Sequence, residues 1–419
     1  MVEGARRIGK STVVEEFGKN EYKSYILIDF AFASQKIKDL FKDLSDLDSF
    51  FRQLQFYCRA KLFERDSLII FDEVQKFPLA RQAIKILVKD HRYDYMETGS
   101  LISIRENVKG ILIPSEERKI QMHPMDYEEF CWAVGESQSY EMGRAVWDSR
   151  KDKGDDLNRE LLRKFRLYMI VGGMPQAVVC FLETNNFSEV DLIKRDILGL
   201  YSDDFMKIDQ TGKISRLFNY IPAELQKNAS RYQVSSVLGN DRAGSMLEKI
   251  SKLVDSKTVN IAYHANNPEI GLSQNVDLEK FKLFVCDTGL FVTLCFMDRD
   301  FTDNIIYEKL LSDKLPANLG YVYENVIAQM LSAKGDGLYY HTFRSSSSNH
   351  NYEVDFIISR KNKLCPIEVK SGDYHRHKSL DLFTEKYSSR IRDRYLVYTK
   401  SIRKDGPTTC IPLYLVPFL

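Results

Sequence analysis

The chain lacks long apolar runs, paired cysteines and any charge imbalance, and each absence removes a class of protein. No stretch approaches the roughly 18 apolar residues that a membrane helix needs, and Glu3, Arg6, Arg7 and Lys10 occupy the place of a leader's apolar region. A soluble, cytoplasmic protein without a membrane partner is therefore expected. The seven cysteines are odd in number and scattered, with no CxxC pair, so neither a zinc ribbon nor a disulfide framework is expected and the thiols read as reduced core residues. Sixty Lys and Arg against 59 Asp and Glu leave a formal charge of +1, so nucleic-acid binding cannot rest on bulk charge and needs local patches. Internal repeats are absent, and low complexity is confined to Ser345–Ser348, which reads as a polar hairpin loop.

What is present is a chain of 419 residues, beyond the roughly 250 to 300 at which one hydrophobic core stops growing. Two or more domains follow, and 44% hydrophobic with 28% charged residues is ordinary for globular ones. In the first third, apolar runs at Tyr25–Phe30, Ser67–Asp72, Tyr93–Thr98 and Lys119–His123 alternate with helical stretches, which predicts βα repeats and a mainly parallel sheet over 1–130. Helical periodicity dominates 131–210, a linker or lid broken by Gly172-Gly173-Met174-Pro175. Three helices and a short strand, Thr258–His264, within 211–295 fit a winged-helix order with 243–254 as recognition helix. Strands at Tyr339–Arg344, Glu353–Ser359, Cys365–Lys370, Arg394–Tyr398 and Ile411–Val416, flanked by helices Tyr323–Ala333 and Lys378–Ser388, make 296–419 a second α/β domain. The fold class is α/β multidomain.

Gly4-Ala5-Arg6-Arg7-Ile8-Gly9-Lys10-Ser11 fits GxxxxGK[ST], followed by the helix-compatible Thr12–Phe17. Such a loop points main-chain N–H groups at phosphate oxygens, the lysine faces the outer phosphates and the serine hydroxyl ligates Mg²⁺. The alternative is a glycine-rich turn. Downstream, Leu68–Phe71 is an apolar strand ending in Asp72 and Glu73: Asp72 would hold Mg²⁺ through water and Glu73 would orient an attacking water. Glu97-Thr98-Gly99-Ser100 ends the next strand, with Ser100 as candidate γ-phosphate sensor, and Arg118 is a candidate finger or a surface arginine. Only Met1, Val2 and Glu3 precede Gly4, so the sheet's central strand is expected to be nearly missing and nucleotide binding to suffer, unless the true start lies upstream.

Near the C-terminus, Glu353-Val354-Asp355 and Glu368-Val369-Lys370 fall on successive strands. Antiparallel pairing brings Asp355 and Glu368 together as hard ligands for a divalent metal, with Lys370 beside them as candidate catalytic group and Glu324 on the preceding helix as a further ligand. The pattern D-(x)n-ExK is that of the PD-(D/E)xK nuclease fold. A solvated hairpin face or a metal-binding relic fits the same strings. His375-Arg376-His377 reads as an exposed loop, because no carboxylate spacing orients it.

The order GARRIGKS, IIFDE, TGS, HPMDYEEF, VGGMPQAV, KLFVCDTGL, GYVYENVIAQ, NYEVDF and CPIEVKSG resembles, over essentially the whole chain, the prokaryotic AAA-type ATPases that end in a restriction-endonuclease-like domain of unknown function. The resemblance implies ATP and Mg²⁺ as cofactors, a winged-helix middle, DNA as the expected partner and possible self-association. Carried over by position, Lys10, Ser11, Asp72 and Glu73 match the ATPase motifs, and Glu324, Asp355, Glu368 and Lys370 the nuclease-like ones. The rival expectation is a non-catalytic nucleic-acid- or protein-binding regulator with a degenerate nuclease fold.

Overall fold

A run of six residues, Ser67–Asp72, is buried along its whole length, as a strand covered on both faces must be. The computed structural model describes residues 1–99, 117–227, 229–239, 243–268, 271–301, 305–311, 320–344, 351–371 and 377–419. They form two units, Met1–His123 with Asp255–Lys257 and Pro124–Val254 with Thr258–Leu419.

In the first unit the strands are β1 (Val2–Glu3), β2 (Ser24–Asp29), β3 (Ser67–Asp72), β4 (Asp94–Gly99) and β5 (Ile120–Gln121), in the order β2-β3-β4-β1-β5. Every pairing is parallel, as the βα alternation predicts. Helices α1 (Lys10–Glu21), α2 (Gln35–Leu40), α3 (Leu47–Cys58) and α4 (Pro78–Lys89) pack on it. Alternation along β3 sends Ile69 and Phe71 into a cluster with Phe50, Phe51, Leu54, Ile84 and Leu87, while Leu68 and Ile70 join Val2 and Val14. As expected, β1 is a stub. Its two residues pair with Thr98 and Gly99 on one side and Ile120 and Gln121 on the other, so it holds the centre of the sheet with a minimum of chain.

The second unit begins with helices at Tyr127–Ala133, Ser137–Ser149, Asp155–Val171, Pro175–Thr184 and Phe187–Ile208, as the periodicity predicts, with a 116° bend at the Gly172–Met174 turn. Among the described residues no single helix is long and apolar enough to cross a membrane. The rest centres on a sheet ordered β12-β13-β11-β10-β9-β8-β6-β7: β6 (Val259–Ala265), β7 (Val276–Val285), β8 (Leu338–Arg344), β9 (Asn351–Arg360), β10 (Lys363–Val369), β11 (Arg394–Tyr398), β12 (Arg403–Asp405) and β13 (Thr408–Pro412).

Two expectations change here. The segment read as a wing, Thr258–His264, is β6, which pairs antiparallel with β7 and parallel with β8, so the boundary drawn at 295/296 falls inside a module whose sheet uses strands from both sides of it. The expected strand Ile411–Val416 ends at Pro412 and continues as a short 3₁₀ turn, Leu413–Phe418. Proline lacks the N–H that a continuing ladder requires.

A buried polar cluster lies beside β4. Arg81, on α4, is 2% exposed and pairs with Glu117 at 2.7 Å, and burial pushes the neighbouring Glu97 carboxyl up to about 7. The fold therefore disfavours ionised Glu97, and stability present at acidic pH is lost as pH rises from about 4.5 through about 7. Glu97→Gln removes that loss: the variant should exceed the parent by about 2–3 kcal/mol at pH 8 and converge on it toward pH 4, as read by urea denaturation.

Candidate functional site

The loop between β1 and α1 is shaped by two residues in the left-handed region, Arg7 (φ 69°) and Gly9 (φ 91°). Gly4 has no room for a side chain: a Cβ there would lie 2.4 Å from both Ile8 Cδ1 and the Met122 carbonyl oxygen. Ala5 and Ile8 are buried and anchor the loop, whereas Arg7 and Thr12 are exposed and Arg6 is half-buried. The turn delivers Lys10 to the first position of α1, where its side chain is buried and Nζ donates to the carbonyls of Gly4 (3.2 Å) and Ala5 (2.8 Å). Burial lowers the Lys10 pKa, opposed by the nearby charges of Glu73 and Asp72.

The Ser11 hydroxyl donates to Asp72 Oδ1 at 2.8 Å, and the Thr98 hydroxyl donates to the same oxygen. Glu73 follows with φ 54°; its N–H donates to Thr98 Oγ1 at 3.4 Å, and its carboxylate accepts from Gln75 Nε2 at 2.5 Å. Burial, then the charge of Asp72, raises the Glu73 pKa. The structure thus gathers the loop, Lys10, Ser11, Asp72 and Glu73 at the C-terminal end of the parallel sheet. Ser100 lies outside the described residues. The hydroxyl that meets Asp72 belongs to Thr98, a residue inside the string quoted for Ser100. Arg118 is exposed and precedes β5, at the opposite end of the strands, so it does not reach this site within its own chain.

The donor set fits the expected cofactors. A buried ammonium held by main-chain carbonyls, beside the N-terminus of a 12-residue helix, is complementary to an anion. A serine hydroxyl on an aspartate offers hard oxygens suited to Mg²⁺.

In the second unit, Phe356 pairs with Ile367, which sets Asp355 opposite Glu368 at the next antiparallel position. Asp355 Oδ2 accepts from the Val369 N–H (2.7 Å), Glu368 Oε2 from the Leu380 N–H (3.1 Å), and Lys370 Nζ pairs with Glu368 Oε1 (2.7 Å). Asp355, Glu368 and Lys370 are thus brought together as the register predicts. Glu324 is drawn elsewhere, because a residue the sequence reading missed stands among the carboxylates. Lys282 on β7 is 6% exposed, 2.5 Å from Glu353 Oε1, 3.7 Å from Glu324 Oε2 and 5.4 Å from the centre of the Tyr340 ring. Burial raises the pKa of Glu324, Asp355 and Glu368, and that of Lys282 is raised by Glu324, Glu353 and Asp355 against its own burial. Among the described residues no group of three or more His, Cys, Asp or Glu is arranged to hold a metal ion, so Glu324, Asp355 and Glu368 do not form the three-carboxylate set expected. The signal for Lys282 was its place between Phe281 and Leu283, a lysine on the alternate face of an apolar strand.

Of the other candidates, His377 meets Asp381 at 2.9 Å, an i,i+4 partner that the sequence reading did not credit, while His375 and Arg376 lie outside the described residues. Arg216 and Arg231 are exposed, Lys249 donates to Ser245, Lys252 bridges Glu248, and Arg242 lies outside the described residues.

Three family models match the chain: an AAA domain over residues 1–131, a domain of unknown function (DUF8612) over 162–300 and another (DUF4143) over 319–416. The N-terminal unit is an AAA-type P-loop domain. No curated protein matches the chain. Among solved structures, Cdc6p from Pyrobaculum aerophilum aligns at 12% identity over 75% of this chain and 88% of its own, with a TM-score of 0.24. Protein VC1899 from Vibrio cholerae aligns at 10% identity over 94% and 95%, with a TM-score of 0.19. Superpositions this loose carry no statement about function.

Removing one partner of a buried ion pair leaves the others uncompensated. Lys282→Met should cost about 3–5 kcal/mol near neutral pH, and pairing it with Glu353→Gln should recover part of the loss, as a double-mutant cycle by chemical denaturation would show.

Proposed function

We propose that the N-terminal unit binds and hydrolyses Mg²⁺-ATP and that this cycle drives the C-terminal module, with DNA as its partner. The observation that supports it is the shared Asp72 oxygen, which joins the phosphate-loop helix, the acidic strand end and the hydroxyl of the next strand. When bound, Mg²⁺ supplies Lewis-acid polarisation of phosphate oxygens. Lys10 exchanges the carbonyls of Gly4 and Ala5 for phosphate oxygens, and the α1 N-terminus adds main-chain donors. Ser11 and Asp72 stand on the metal side. Glu73 orients the attacking water, and its raised pKa brings it nearer the range in which a carboxylate accepts a proton at neutral pH. Gln75, which now donates to Glu73, would have to yield to that water.

Lys10→Ala should weaken ATP binding about 10- to 100-fold by removing a charge-assisted contact. Glu73→Gln should keep binding and slow turnover about 100-fold. Both are read by nucleotide titration and a Mg²⁺-dependent phosphate-release assay, and equal turnover in Glu73→Gln and the parent would remove Glu73 from the mechanism.

For the C-terminal module two readings stand. In the first, Asp355 and Glu368 hold a divalent ion and Lys370 positions water for nucleic-acid cleavage. In the second, the module is a non-catalytic docking surface of nuclease-like ancestry, favoured by the way Lys282 already neutralises part of the carboxylate set. Mn²⁺ titration of the full chain without nucleotide separates them: the first reading expects a binding heat that Asp355→Ala abolishes, the second expects parent and variant to be indistinguishable.

A further inference from the structure

β4 runs from Asp94 to Gly99 but meets β1 only at Thr98 and Gly99. Leu68–Phe71 of β3 cover one side of Asp94–Glu97, and among the described residues no strand pairs with the other. Beside them lies a cavity of about 910 Å³, whose wall includes Met1, Leu68, Ile84, Tyr95, Met96 and Glu97. Its lining belongs to both layers of the unit: Tyr95 and Ile84 to the cluster with Phe71, Leu68 and Met96 to the cluster with Val2 and Val14.

Buried polar atoms at this place lack partners. Glu97 Oε1, Glu117 Oε1, Glu3 Oε2, the Tyr95 hydroxyl and Arg81 Nε and Nη1 have no hydrogen-bond partner among the described residues, and Glu97 and Arg81 are 3% and 2% exposed. Orphaned groups in such number are unusual in a native interior and point to an occupant that brings its own donors and acceptors.

We propose that this gap is a strand-acceptor site, taking an extended aliphatic peptide segment from a partner polypeptide, laid parallel to β4 and ending at Met1. Its direction follows from β1, which lies on the same line and runs parallel to β4. Its length follows from Asp94–Glu97, whose four residues span about 13 Å. Its composition follows from the two clusters: successive side chains enter opposite layers, so consecutive aliphatic residues are required where a half-exposed strand would alternate. Its main chain supplies the ladder that β4 lacks, the mode of recognition by strand addition. Its terminal carboxylate meets the Met1 ammonium, which already donates to the Arg118 carbonyl at 2.7 Å.

The test uses the full chain without nucleotide, so its failure leaves the ATPase reading untouched. An N-acetylated peptide, Lys-Lys-Val-Ile-Leu-Val with a free carboxylate, is titrated by calorimetry, and amide hydrogen exchange is followed with and without it. A second peptide carries proline in place of the isoleucine, which removes one ladder donor. The expected result is saturable one-to-one binding of the first peptide, about tenfold or greater slowing of exchange within Asp94–Glu97, and neither effect with the second. Absence of slowing in that segment, or equal binding of both peptides, overturns the proposal.

Discussion

One carboxylate oxygen organises the N-terminal unit. Asp72 Oδ1 accepts from Ser11 on α1 and from Thr98 on β4, while Asp72 itself closes the most deeply buried strand of the sheet. Hydrogen bonds to a charged acceptor contribute about 1.5–3 kcal/mol each, so this junction fixes three elements whose relative placement would otherwise rest on non-directional apolar packing. It also fixes Glu73, whose N–H reaches Thr98 and whose left-handed backbone turns the chain away from the strand. A non-glycine residue held there costs of order 1–3 kcal/mol, and such strain persists only where the surroundings over-determine it.

The same junction explains how much of the site could be read in advance. GxxxxGKS and a strand ending in Asp-Glu are local strings, and each dictates its own backbone, so Gly4 to Ser11, Asp72 and Glu73 were legible. Which hydroxyl of Thr98 and Ser100 meets Asp72 depends on where β4 stops relative to β3, a register that local strings leave open. In the second unit the pairing of Asp355 with Glu368 was legible because antiparallel strands joined by a short turn have little freedom of register. Lys282 was not: its strand pairs with β6, and its contact with Glu353 spans 71 residues. The wing reading failed for a related reason, since nothing in Thr258–His264 announces that one of its edges will be taken by β8, more than 70 residues further on. Pro412, by contrast, carried its own warning within the run read as a strand.

The two candidate sites handle buried charge in opposite ways, and the contrast bears on what each can bind. Lys10 is buried and bonded to main-chain carbonyls, which stabilise an ammonium without neutralising it, and desolvation pulls its pKa down. An incoming polyanion improves its electrostatics. Around Asp355 the carboxylates of Glu324, Glu353 and Glu368 face two ammoniums, Lys282 and Lys370, and burial raises the pKa of three of the four acids. Part of the charge that would attract a cation is already offset by lysine, and part is removed wherever an acid keeps its proton. A divalent ion entering there competes with groups the fold supplies, whereas a phosphate entering the N-terminal loop displaces only carbonyls. The first site therefore has the electrostatics of an exchangeable ligand pocket, and the second those of a set that can stay folded and empty.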